Sequence, residues 1–501
     1  MSAFTDGRAV SNNAILTPDL AIIGGGPAGI SLAMALAHLP IKILLLESGG
    51  MDFDADTQAL YEGTQTGVQY LALDGSRLRY LGGSTNHWGG WTRPLDAIDF
   101  EKRDWLPHSG WPFSRDALEP YFLHAQSLVE AGPWIYDDQQ KWTDALGAPM
   151  KLAPGGVYTS YFQFSKQKDE PHHWPTHFGV RYGDTLKQQD NLQVMLHANV
   201  TNIGLAGDAN SVDHLDVATL TGRKFTVKPK VTVLAVGGME NPRLLLASND
   251  VMKNGIGNNS DLVGRFFADH AIPRDTVTLV SFDGTLAPYY MNPRDAYGAH
   301  FRATFAAHDD FMRTRHVLGS LSTVEQPTKL DQTGMDAVSE TANALGVDAT
   351  KARGFLLGCG FELAPDPDRR VTLSGEKDAL GMPRLKLHMT ISDDDFGRYR
   401  ETMKEAGRQL LAARSGMMRL NRSERSQWLE TLDWANHHMG TTRMDDDPKK
   451  GVVDANSKVH GVANLYVAGS SVFPTYGSSN PTMNLVALTL RLADHLKTIF
   501  A

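Results

Sequence analysis

A chain of 501 residues, 42% hydrophobic and 21% charged, has ordinary globular composition and enough length for two domains or one large discontinuous one. A formal net charge of −9 argues against a nucleic-acid partner, because phosphate binding wants clustered Lys and Arg. The single cysteine, Cys359, excludes an internal disulfide, a redox dithiol and a thiolate-bound iron–sulfur cluster; the apolar run around it predicts a buried structural thiol.

Residues 1–17 are polar and lack the apolar core of a signal peptide. Residues 20–39 have the length of a membrane span, but Gly24-Gly25-Gly26-Pro27 interrupts them and suits a strand–turn–helix instead, so no membrane segment is expected. Residues 19–23 predict a strand, 30–38 a helix, and 41–46 a second buried strand ending at Glu47. Two such strands joined by a helix pair in parallel with a right-handed crossover.

The turn between them, Gly24-Gly25-Gly26-Pro27-Ala28-Gly29, fits G-x-G-x-x-G. Gly24 permits the tight turn, Gly26 lets a pyrophosphate approach the backbone, and Gly29 allows close helix–strand contact. Pro27 and Ala28 open a helix whose N-terminal NH groups and dipole favour phosphate. Glu47 stands 18 residues after Gly29, where a carboxylate accepts hydrogen bonds from an adenosine ribose. The pattern reads as a dinucleotide site. By itself it does not separate FAD from NAD, and a glycine turn without a ligand is the plain structural alternative.

Further along, residues 191–203 and 224–236 predict strands and 241–247 a helix. Gly257-Asn258-Asn259-Ser260 and Gly264 mark loops. From about 273 to 425, strand-like segments (370–373) alternate with helical ones (396–414) and form the bulk of a second, substrate-facing domain. The end returns to Gly-rich turns, a strand at 464–468 and an amphipathic helix at 484–499. No metal site is expected. The run from His172 to His177 lacks an acidic or further His ligand at helical spacing and reads as a loop, and the Asp393–395 and Asp445–447 runs read as solvated faces or turns. Trp88, Trp91, Trp105 and Trp111 suit packing as well as stacking on a sugar.

Four blocks, in this order, resemble the glucose–methanol–choline (GMC) FAD-dependent oxidoreductases. They are the fingerprint; residues 81–94, which look like the family's flavin loop; residues 235–245 with 262–270 behind them; and residues 437–444 with 477–484. In motif the chain is most similar to pyranose oxidases and bacterial sugar or glycoside dehydrogenases. The resemblance implies an α/β fold (α+β overall): a Rossmann-like FAD-binding domain with a discontinuous, sheet-containing substrate-binding domain. The FAD-binding domain would draw on residues 15–110, 191–272 and 431–501, with 111–190 a mixed segment on the substrate side and 273–430 the substrate-binding domain. It also implies FAD as cofactor. Gly83, Ser84, Asn86, His87, Trp88, Gly89 and Gly90 would form the flavin loop, and Val200 would meet the adenine through its backbone. Ala235 belongs to the second signature, Gly469 and Ser470 would line the pyrophosphate and ribityl region, Thr482 and Met483 would reach the pyrimidine edge of the flavin, and Pro481 would be a further cofactor-binding residue. His87 stands where pyranose oxidases carry a histidine that bonds to the flavin's 8α-methyl group. The departures at Asn86 and Gly89 favour noncovalent packing of His87 over that bond.

Alcohol oxidation by flavin removes the hydroxyl proton and transfers hydride to flavin N5. Histidine suits the proton acceptor. In the family the base is a histidine three positions before a Gly-Thr, which is His437 here, and its downstream partner is Asn480, whose amide orients the substrate oxygen without taking a proton. His438 reads as a neighbour. The expected partners are a small-molecule alcohol, with a secondary hydroxyl of a sugar or glycoside favoured over a sterol or aromatic alcohol, and O2 or an artificial or protein electron acceptor. The expected location is cytoplasmic, with export on a signal-bearing partner left open. A pyridine-nucleotide dehydrogenase would leave residues 81–94 and 437–484 unexplained; a non-catalytic flavin-binding subunit is the alternative of another class.

Overall fold

A computed structural model describes residues 4–166, 175–422 and 424–501. Six parallel strands frame its first half, in the order Phe4–Asp6, Leu192–Leu196, Ile43–Leu46, Leu20–Ile23, Val231–Leu234 and Leu465–Val467. The last four strands of this series are buried along their whole length, which is why they read as unbroken apolar runs rather than alternating ones. The helix Pro27–Leu36 carries Pro at its first position, where no backbone donor is lost, and packs against the long C-terminal helix Pro481–Phe500.

Two predicted strands divide in the structure. Residues 191–203 form Leu192–Leu196 in the parallel sheet and Asn199–Leu205 in a separate four-stranded sheet; His197, at φ +55°, makes the break. Residues 224–236 likewise split into Lys224–Val227 and Val231–Leu234. The polar N-terminal segment, which carries no apolar signal, nevertheless supplies Phe4–Asp6 as an edge strand, a position that needs pairing on one side only.

The second half is a ten-stranded antiparallel sheet. Its main path runs from Gly416–Leu420 through Val277–Ser281, Arg353–Phe361, Ser320–Thr328, Ala299–Ala307 and Val157–Phe164 to Trp91–Thr92. The helix Asp393–Ala412 covers one face through Phe396, Tyr399 and Met403. Cys359 lies buried on that face against the Tyr399 hydroxyl, and burial pushes its thiol up to about 12, so it is an inert core residue. Trp91 joins the two halves: its backbone pairs with Phe164 while its ring touches Phe162 and lines the cavity between the sheets. Two short strands attached to this sheet, Ala271–Pro273 and Leu432–Trp434, pair antiparallel and carry the chain toward that same cavity. Among the described residues no helix is long and apolar enough to cross a membrane.

Candidate active site and cofactor cavity

The carboxyl ends of four parallel strands open onto one cavity of about 1720 Å³, counting its mouth, where Ile23, Leu46, Ala235 and Ala468 form the floor. This is where open parallel sheets bind nucleotides. Gly24, Gly26, Pro27 and Ala28 bring the helix N-terminus to the wall. Glu47 sits at the strand end as expected, with Oε2 accepting from Gly25 N–H (2.7 Å) and Oε1 from Gly49 N–H (2.8 Å). Oε1 also accepts from the Ser48 hydroxyl (3.1 Å), so Oε2 is the oxygen that keeps a second lone pair for a ribose hydroxyl. A Cβ added at Gly26, Gly237 or Gly469 would meet no protein atom within 4 Å, so bare backbone faces the cavity at three separate points. That cradle fits an extended dinucleotide such as FAD.

Of the flavin-loop residues, Gly83, Ser84, His87, Trp88, Gly89 and Gly90 line the cavity, opposite Val200, Gly469, Ser470, Pro481 and Thr482. Three residues expected at the cofactor do not line it. Gly29 packs behind the turn on Gly24, as its place in the fingerprint requires. Asn86 turns its amide back to the Leu81 carbonyl at 3.0 Å, closing the loop on itself. Met483 is fully buried, and its sulfur accepts from the Tyr136 hydroxyl at 3.5 Å, because position three of the C-terminal helix faces the core rather than the cavity. Of the four tryptophans, Trp88 and Trp91 line the cavity, Trp111 is buried with its indole N–H on the Thr475 carbonyl, and Trp105 stacks on His316. His172 and His173 lie outside the described residues.

The structure adds residues that sequence reasoning missed. Arg77 and Arg79 reach the cavity wall and pair with Glu240 at 2.9 and 3.5 Å. Burial alone would raise the Glu240 carboxyl, but Arg243, Arg77 and Arg79 outweigh it and hold it at about 2. His438, read as a bystander, lines the cavity too; its Nε2 is buried without a partner among the described residues, and burial, Arg77 and His87 lower it to about 3.

His437 and Asn480 meet at the cavity wall, with Asn480 Nδ2 3.1 Å from His437 Nε2. Asn480 is the N-cap of helix Pro481–Phe500, yet its side chain makes no capping bond. An asparagine there ordinarily caps the helix, so its amide has been diverted to the histidine. His437 owes its position to an irregular ladder. Ala271 pairs with Trp434 and Ala268 with Met439, so two residues, Asp269 and His270, stand opposite four, 435–438. The surplus bulges toward the cavity through Asn436, at φ +61°. A bulge strands backbone donors, and Asp269 takes them up: its Oδ1 accepts from His437 N–H (2.9 Å) and His270 N–H (2.7 Å). Its other oxygen accepts from the Tyr70 hydroxyl, and burial raises the carboxyl to about 7 against these bonds.

His270 Nδ1 lies 2.8 Å from His437 Nδ1, and His270 Nε2 lies 2.8 Å from the Gly477 carbonyl. The ligand atoms of Asp269, His270 and His437 fall within 4.8 Å of one another, the spacing of a metal site. Each of these groups is already engaged in hydrogen bonds, so the cluster reads as a hydrogen-bonded triad.

Comparison with known proteins bears on this arrangement directly. The N-terminal model of the GMC oxidoreductases matches residues 172–272, and the C-terminal model matches 365–489, in that order. The chain belongs to the GMC oxidoreductase family. The two matches hold His270, His437 and Asn480. The GMC chain is 26% identical to a fructose dehydrogenase large subunit from Gluconobacter japonicus, over 96% of this chain and 98% of that one. It is 27% identical to a C-glycoside 3-oxidase from Microbacterium trichothecenolyticum, over 63% of this chain and 56% of that one. Among solved structures, a pyridoxine 4-oxidase from Mesorbium loti shares the fold, with a TM-score of 0.58 and 19% identity over 96% of this chain and 99% of its own. As a GMC oxidoreductase the chain is an FAD-dependent enzyme acting on CH–OH groups.

Proposed function

We propose that the chain oxidises a secondary hydroxyl of a sugar or glycoside to a carbonyl, with His437 Nε2 taking the hydroxyl proton and Asn480 holding the oxygen. The observation that carries this reading is the 3.1 Å contact between His437 Nε2 and the Asn480 amide on the wall of the cofactor cavity. A substrate hydroxyl entering between them would donate to the imidazole and accept from the amide, which leaves its C–H aimed into the cavity. Bound FAD supplies the acceptor for the hydride lost from that carbon. Gly26 and the first turn of helix Pro27–Leu36 would hold its phosphates, and Glu47 its ribose. The sugar assignment is supported by the fructose dehydrogenase and C-glycoside oxidase relatives.

The test is anaerobic bleaching of the flavin absorbance by a panel of D-glucose, D-fructose, a C-glycoside, cholesterol and benzyl alcohol. Bleaching by the sugars or the glycoside supports the reading. Bleaching by cholesterol or benzyl alcohol alone overturns the substrate class, and a flavin that no alcohol bleaches overturns the catalytic role.

Burial, the adjacent His270 and His438 push the His437 pKa well below the ordinary histidine value of 6.5. Protonation of Nε2 removes the base, so activity should be lost as pH falls. Because the pKa is depressed, the loss should begin only below the ordinary histidine range, leaving kcat/KM flat through neutrality. A pH–rate profile with an acidic limb centred at or above 6.5 would contradict this.

His87 lines the cavity, and burial lowers its pKa from the ordinary histidine value. Noncovalent packing is expected: acid precipitation of the denatured holoenzyme should leave a colourless pellet and a yellow supernatant. A yellow pellet that His87→Ala turns white would establish the covalent bond instead.

A further inference from the structure

We infer that Asp269 and His270 are a positioning pair that presets the base, His270 by fixing which nitrogen of His437 carries the proton and Asp269 by fixing its backbone. The inference rests on His437 being the base, as proposed above.

The polarity of three hydrogen bonds decides where each proton sits. The Gly477 carbonyl only accepts, so His270 Nε2, 2.8 Å away, carries a proton and donates it. Burial lowers His270 to about 4, so the ring is neutral and its other nitrogen, Nδ1, is an acceptor. His437 Nδ1, 2.8 Å from that acceptor, must therefore be the donor. A neutral imidazole holds one proton, which leaves the lone pair of His437 on Nε2, the nitrogen that faces the Asn480 amide. All three bonds run in one direction, from Asn480 through both rings to Gly477.

A neutral imidazole in water favours the opposite arrangement, with its proton on Nε2. In that form His437 would present N–H to the substrate hydroxyl and could not take its proton. His270 reverses the preference by offering an acceptor on the far side of the ring. When Nε2 takes up the hydroxyl proton, the imidazolium keeps its Nδ1–H on His270, and no proton passes beyond His437. Asp269 contributes separately. The bulge at 435–438 leaves His437 N–H without a ladder partner, and Oδ1 of the buried Asp269 carboxyl pins it together with His270 N–H. One residue pair thus holds the ring's protonation pattern and the backbone that aims it. Both sit on the other side of the short ladder from the base, more than 160 positions away in sequence.

The experiment labels the holoenzyme with 15N-histidine and reads the His437 ring nitrogens by NMR at neutral pH, assigning them by their loss in His437→Ala. The expected parent spectrum has a protonated Nδ1 and a bare Nε2. His270→Leu should move the proton to Nε2 in a large fraction of molecules. It should also slow bleaching by the best panel alcohol about 10²–10³-fold, with KM little changed, as for a base held in the wrong tautomer. His270→Asn, whose side-chain oxygen can stand in for the lost acceptor, should recover part of both. A parent His437 with its proton on Nε2 overturns the inference whether or not the leucine variant folds. A slow His437→Ala beside a His270→Leu of parental tautomer and rate also overturns it, while leaving the base in place. Parent-rate bleaching in His437→Ala overturns the base itself, and this inference with it.

Discussion

His437→Ala is expected to retain FAD and its fold while slowing substrate-dependent flavin reduction about 10²–10⁴-fold, the usual worth of a general base and roughly 3–5 kcal/mol of barrier. Retention follows from the structure. The bulge that presents His437 is held by Asp269 through the backbone, which alanine preserves, and the wall on either side is tied down by Ser470, whose hydroxyl donates to the His438 carbonyl at 2.7 Å. The ring itself bonds only His270 and Asn480 among the described residues. Asn480→Ala should cost less, or raise the substrate requirement, because it orients the oxygen and takes no proton. Stopped-flow reduction of the two variants separates these roles. A His437→Ala enzyme that bleaches at the parent rate would remove the residue from the chemistry.

Gly26→Val is expected to give a folded protein that carries no FAD. Gly26 has φ −80°, open to any residue, and a Cβ there meets no protein atom within 4 Å, so neither the backbone nor the β-carbon opposes the substitution. The added methyl groups would instead project into the cavity where the pyrophosphate must approach the backbone. Gly29 provides the contrast: its Cβ would overlap the Gly24 carbonyl oxygen, so Gly29→Ala should damage the fold itself. Flavin absorbance and circular dichroism on the purified variants tell the two apart. The Gly26 variant should also melt lower than the parent holoenzyme, since a ligand bound only by the native state stabilises it by mass action. Normal flavin content in Gly26→Val would displace the fingerprint from the cofactor.

How far the sequence discloses this site depends on the range over which each part is encoded. The Gly24–Gly29 turn, the strand ending at Glu47 and the pairing of those strands are local, carried by periodicity and by glycines a few residues apart, and they stand where they were expected. His437 and Asn480 were legible only through a family pattern. Once placed, they meet through a bond that spans 43 positions. Met483 was misdirected because a helix turns its side chains through 100° per residue, so one member of Pro481-Thr482-Met483 had to face the core. Asp269 and His270 close the family-like block at 262–270, where no local pattern gives them a role. Their function is written in contacts across about 167 residues and in a ladder whose two sides differ in length, which one sequence cannot display. Arg77 and Arg79 were invisible for a similar reason, since their partner Glu240 lies 163 positions from Arg77.

The parallel sheet draws one edge from residues 4–6 and the other from 465–467, and the cavity closes only with residues up to 485. This has a consequence for biosynthesis. At about 5–20 residues per second, the ribosome needs roughly half a minute to a minute and a half to pass from the fingerprint to the closing helix. Until then strand 231–234 lacks its outer neighbour, and the apolar face later covered by helix Pro481–Phe500 stays open. The nascent chain is then most exposed to aggregation and has no finished berth for a cofactor, so FAD loading must wait until helix Pro481–Phe500 has been made. A message truncated before residue 465 should yield insoluble, colourless protein rather than a yellow but inactive one.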